Sequence, residues 1–113
     1  MKCRLMEIIA TKPFLRSAKP LAKRYKSFNS DYKNFIEELK TNPSQGIDLG
    51  NGLRKIRMAI TSKGKGKSGG CRVITFDAIE KDDKLYLMYV YDKSDADNII
   101  ISVISELVDE LGI

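Results

Sequence analysis

The chain of 113 residues is 42% apolar and 31% charged, which fits a single globular domain over 1–113 and excludes a disordered polymer. Twenty Lys and Arg stand against fifteen Asp and Glu, and histidine is absent. Without an imidazole there is no Ser-His-Asp or Cys-His nucleophile and no HExxH zinc site.

Residues 4–10 read as a first strand. Thr11 and Pro13 are helix-start residues, and Phe14, Leu15, Ala18, Leu21, Ala22 and Tyr25 recur at helical spacing to about Lys26. Pro20 interrupts that pattern and predicts a kink, or a start nearer Ala18. Ser30 and Asp31 are suited to cap a second helix, with Tyr32, Phe35, Ile36 and Leu39 on one face. The stretch from Asn42 to Gly46 ends it.

A β region follows. Leu53 to Ile60, Cys71 to Ile79 and Leu85 to Tyr91 are rich in Ile, Val, Phe, Tyr and Thr, and short connections between them predict an antiparallel meander. From Asp95 onward, Ile100, Ile101, Ile104, Leu107, Val108 and Leu111 return to helical spacing. The apolar stripe there is wider than one core-facing face needs, so part of it is free to dock a partner or to be buried on two sides. The order β-α-α-β-β-β-α describes an α+β fold, helices packed on a mostly antiparallel sheet.

Charge is segregated along the chain. Residues 1–40 carry ten Lys or Arg against four Asp or Glu, residues 41–75 seven against one, and residues 76–113 three against ten. Such a field suits a polyanion on one face and a basic partner on another. Cys3 and Cys71 form no CxxC and are too few for a zinc site, so neither metal nor cofactor is expected. The opening MKCRLMEII is broken by Arg4 and Glu7 and reads as neither a signal peptide nor a membrane span; a cytoplasmic protein with reduced thiols is the expectation.

Strand alternation sorts the basic residues by face. Lys55 and Arg57 point away from Ile56, Met58 and Ile60; Arg72 shares a side with Ile74 and Phe76; Tyr89, Tyr91 and Lys93 share one, with Met88 and Val90 opposite. If the registers agree, these four cations and two tyrosines form a cup for a phosphate and a stacked base. The segment Lys63-Gly64-Lys65-Gly66-Lys67-Ser68-Gly69-Gly70 is no Walker A loop, because Thr61 stands where its first glycine belongs and the context is strand to strand. Lys65 and Lys67 fit a grip on a nucleic-acid backbone instead.

Together, Lys55-Ile56-Arg57, the run Lys67-Ser68-Gly69-Gly70-Cys71-Arg72-Val73-Ile74 and Tyr91-Asp92-Lys93-Ser94 resemble the RelE/HigB branch of the RelE/ParE toxin superfamily. Phe14 to Lys26 as a basic first helix and Leu39 to Gly46 as the following junction extend the resemblance over essentially the whole chain. It implies the toxin of a type II toxin–antitoxin pair that cuts messenger RNA in the ribosomal A site and is silenced by a cognate antitoxin. By position, Lys55, Arg57, Arg72 and Lys93 match the family's basic site residues, with Tyr91 or Tyr89 as the stacking aromatic. Ser94 departs from relatives that carry another arginine there.

The residues allow metal-independent cleavage in which a 2′-hydroxyl attacks the adjacent phosphate. Arg57 and Arg72 suit the charge of the phosphorane, and Lys93 the protonation of the leaving 5′-oxygen. Lys55 is the candidate base, because nearby cations disfavour its protonated form. Asp92 is a second candidate that alternation turns away from the cup. A ParE-like inhibitor of DNA gyrase and a non-catalytic nucleic-acid-binding module are the alternative functions.

Overall fold

The computed structural model describes residues 7–64, 66, 69–78, 83–94, 106 and 109. Strand β1 (Glu7–Ala10) leads into helices α1 (Lys12–Arg24) and α2 (Phe28–Thr41). Strands β2 (Ile47–Gly50), β3 (Leu53–Met58), β4 (Cys71–Ala78) and β5 (Lys84–Asp92) follow, with a 3-10 turn at Thr61–Lys63 between β3 and β4. The sheet order is β1-β5-β4-β3-β2, with β1 parallel to β5 and every other pair antiparallel. The α+β class and the meander stand as expected. Strand β2 is an addition, in the stretch between the helix-ending residues 42–46 and the first expected strand of the meander at Leu53, where the sequence reading assigns no element. The helix expected over 95–113 lies outside the described residues, except that Glu106 and Asp109 are helical.

Helix α1 starts where its cap is. Thr11 Oγ1 accepts from the Phe14 amide at 3.3 Å and donates to the Leu87 carbonyl at 2.8 Å, which fixes the helix to β5 as well as starting it. The start nearer Ala18 is thereby corrected. The helix also runs on through Pro20 to Arg24. Phe14 and Leu21 are buried on either side of the proline, and this packing outweighs a local cost of about 3 kcal/mol.

Helix α2 begins at Phe28 after Ser27, so the expected cap at Ser30 and Asp31 is corrected too. Asp31 sits one turn inside and is buried. Its carboxylate accepts from Ser27 Oγ at 2.8 Å, from the Thr61 amide at 2.7 Å and from Thr61 Oγ1, tying α2 to the turn after β3.

The sheet buries both faces. Against the helices lie Ile56, Met58, Cys71, Val73, Leu85, Leu87 and Val90, in contact with Phe14, Leu21, Phe28, Phe35 and Leu39. On the other face Leu53, Ile74, Tyr86, Met88 and Tyr91 cluster, with Ile9, Leu49, Phe76 and Tyr89 beside them. Simple alternation assigned Met88 to the side of Val90. A register shift changes that: Ile74 faces Tyr89 but Thr75 faces Leu87, so Met88 is the extra residue of a bulge and joins the second cluster.

Candidate active site

The β3–β4–β5 register brings the basic residues together. Residues directly opposite in an antiparallel ladder share a face. Arg57 pairs with Arg72 and Arg72 with Tyr91, which makes one row across three strands. Ile47 pairs with Lys55, Lys55 with Ile74 and Ile74 with Tyr89, which makes the row beside it. Lys93 follows directly after β5, its amide donating to the Gly70 carbonyl at 3.2 Å. All four cations line one open cleft of about 540 Å³, with Gln45, Gly46, Ile47 and Ile56 completing the wall.

The cations differ in setting. Arg57 and Lys93 are exposed and Lys55 is half-buried, whereas Arg72 is only 5% exposed. The Arg72 Nη1 donates to the Cys71 carbonyl at 3.3 Å, so this guanidinium is anchored in the sheet while reaching the cleft. Tyr89 and Tyr91 share the face but do not line the cleft. Tyr91 is 7% exposed, and the two rings lie 6.5 Å apart at 37° as packing partners. Lys65 and Lys67 lie outside the described residues.

Behind the cleft, on the helix side of the sheet, Asp92 forms a knot that no local sequence pattern announces. Its side chain is fully buried. It accepts from Lys63 Nζ at 2.8 Å, from Arg24 Nη1 at 3.0 Å, from the Tyr25 hydroxyl, and from the amide and hydroxyl of Ser94 at 3.0 and 2.9 Å. Burial alone pushes such a carboxyl up, but the bonds from Lys63, Tyr25 and Ser94 prevail and hold it well below the usual carboxylate range. Asp92 is therefore a saturated anion pointing away from the cleft, a poor proton acceptor and a good anchor. Lys63 also donates to the Gly70 carbonyl at 3.4 Å and lies 5.5 Å from the Tyr25 ring centroid. Arg24, Tyr25, Lys63 and Asp92 stand 67 or more positions apart at their extremes, and no local pattern announces such a pairing. Next to the knot, burial first and Asp92 second push the Cys71 thiol up to about 12, so it stays protonated and inert.

Gly70 makes this junction possible. A Cβ there would stand 2.1 Å from the Met58 carbonyl oxygen, so only glycine lets the start of β4 press against the end of β3.

Among the described residues, a mostly antiparallel five-stranded sheet, two helices on one face and a cationic cleft on the other define a RelE-like α+β domain. Residues 6–107 match the family described as the RelE toxin of the RelE / RelB toxin-antitoxin system, and the chain belongs to that family. It is a toxin of a toxin–antitoxin system, and its family implies an antitoxin as partner. Among the described residues no helix is long and apolar enough to cross a membrane.

Proposed function

We propose that this toxin is an endoribonuclease that cleaves messenger RNA in the ribosomal A site and so arrests translation. The observation that carries the reading is the convergence of Lys55, Arg57, Arg72 and Lys93 on one cleft, delivered by three different strand segments. A single scissile phosphodiester is the anion that such a cluster fits.

In the step we assign, Lys55 takes the proton of the 2′-hydroxyl as its oxygen attacks the adjacent phosphorus. The phosphorane that forms carries extra negative charge, which Arg57 and Arg72 stabilise with fixed, always-charged donors. The bond to the 5′-oxygen then breaks and Lys93 supplies its proton. The products are a 2′,3′-cyclic phosphate and a 5′-hydroxyl. Lys55 and Arg57 are two residues apart on one strand face, about 6.8 Å, which suits a base and a charge stabiliser on neighbouring atoms of one nucleotide. The ribosome contributes by presenting the strand splayed, so that proximity and orientation supply rate the side chains lack. The antitoxin silences the toxin by laying an acidic segment over the cleft.

Primer extension on messenger RNA from a purified translation system is the test. Discrete breaks within codons are expected with the wild type and none with Arg72→Ala. Full cleavage by Arg72→Ala refutes the assignment, and intact RNA with DNA damage signalling in cells points to a gyrase poison instead.

A further inference from the structure

The cleft has two kinds of wall. Its β4 and β5 side is cationic; its β2 side is Gln45, Gly46 and Ile47. Ile47 is 55% exposed, and among the described residues only Leu15 is a comparably exposed large apolar side chain. An apolar side chain in water at the mouth of a charged cleft is an unusual placement, since burial would stabilise it and nothing in the strand pattern requires it there.

Its position is fixed. Ile47 lies directly across from Lys55 and shares its face, about 4.8 Å away, with Arg57 two residues further along β3. Gly46 holds the segment against β3. Its φ is +93°, and a Cβ there would stand 2.6 Å from the Lys55 carbonyl oxygen and 2.8 Å from Ile56 Cγ1. Gln45 is held in turn, its amide and its Nε2 both donating to the Asn42 carbonyl, at 3.4 and 3.2 Å. The rim is thus a rigid apolar step beside a polar carboxamide, one strand away from a phosphate-sized cation cluster. Tyr91, the aromatic that alternation nominated for stacking, is packed away from this space.

We propose that the β2 rim is a nucleobase subsite: Ile47 packs against the face of the base attached to the scissile phosphate, and Gln45 reads its edge. The inference rests on the nuclease reading above for the identity of the anion. It assigns the toxin's own share of base discrimination to residues outside the cationic set. Phosphate contacts position a strand and carry no sequence information, whereas base contacts specify.

The test is a titration of methyl-labelled protein with each of the four nucleoside 5′-monophosphates and with ribose 5-phosphate. The nucleotides are expected to shift the Ile47 methyl resonances, to different extents for different bases, while ribose 5-phosphate shifts only resonances around Arg57 and Arg72. Ile47→Ser, which removes an exposed side chain from an edge strand, should weaken nucleotide binding about fivefold and leave ribose 5-phosphate unchanged. Ile47→Tyr should restore or tighten it, since an aromatic face stacks on a base better than an aliphatic one. Ile47 methyls that ignore every nucleotide overturn the proposal, as do methyls that move only when an antitoxin strand is added. Cleavage of ribosome-bound RNA by the wild type is measured separately. Cleavage with silent Ile47 methyls sinks the subsite alone, whereas base-dependent shifts without cleavage sink the nuclease reading and keep the subsite.

Discussion

Arg57 and Arg72 are direct cross-strand partners in the β3–β4 ladder, two guanidinium side chains on one face of the sheet. Like charges so placed cost about 0.2–1 kcal/mol. On the proposed nuclease reading, an anion bound between them accounts for the pair. Arg57→Gln is therefore expected to stabilise the ligand-free protein by about 0.5 kcal/mol at low salt, with the gain shrinking as salt screens the pair. Thermal unfolding at two ionic strengths measures this. A variant less stable than wild type at low salt shows that the two groups do not repel.

How far the sequence carries depends on the range of the interaction. Strand parity put Lys55 and Arg57 on one face of their strand because side-chain alternation is a local property, but whether Arg72 joins them depends on a register that only the paired strands supply. Met88 escaped because a bulge is set by the fit of two strands, which neither strand announces. Of the two readings of Pro20, the later start near Ala18 fails because burial of Phe14 and Leu21 is a tertiary effect that outweighs local propensity. Gln45 and Ile47 were invisible as a rim: Gln45 lies in the helix-ending stretch of Asn, Pro, Ser and Gly, Ile47 just beyond it, and nothing there foretells an edge strand. The Asp92 knot joins the end of α1, the turn after β3 and the end of β5, and only the fold assembles it.

That knot sets an acid limit on stability. Asp92 has a folded-state proton affinity below the unfolded value near 3.8, so its contribution is complete above that pH and is lost as pH falls through the lower folded value. Asp92→Asn should lower stability at neutral pH by about 3 kcal/mol, because it leaves the nearly buried Lys63 without its counter-charge. Below pH 4 the difference between wild type and variant should narrow steadily. Urea unfolding from pH 7 to pH 2 reads both effects, and a difference that stays constant across that range rules the linkage out.

Thr75 offers a gain in stability. It is fully buried in β4 opposite Leu87, and its hydroxyl has no hydrogen-bond partner among the described residues. A buried hydroxyl without a partner costs about 1–3 kcal/mol, and valine has nearly the same shape. Thr75→Val should raise stability by about 1 kcal/mol in chemical denaturation. The side chain points to the helix-covered face with Leu87, away from the cleft, so nucleotide binding should not change. A destabilised Thr75→Val would mean that the hydroxyl is satisfied in solution.

Gly70 couples fold and site most tightly. Its carbonyl receives the Lys93 amide at 3.2 Å and Lys63 Nζ at 3.4 Å, and Arg72 follows two residues later. An alanine methyl would meet the Met58 carbonyl oxygen at 2.1 Å and the backbone of Ala59 and Ile60 at 3.0 Å. Because these obstacles are backbone, the end of β3 and the start of β4 must part, carrying Arg72 and Lys93 with them. Gly70→Ala is expected to lose about 3 kcal/mol, the upper end of the overpacking range. If the proposed nuclease reading holds, its single-turnover cleavage under conditions where it remains folded should fall about 100-fold, the effect of an ångström-scale displacement of the cations assigned to the reaction. Gly64→Ala, at a loop position where a Cβ meets nothing within 4 Å but the φ of +71° strains any L side chain, separates backbone strain from steric clash: it should cost about 1 kcal/mol and keep most of the cleavage rate. If both variants cleave like wild type, the cations do not need the placement that this junction gives them.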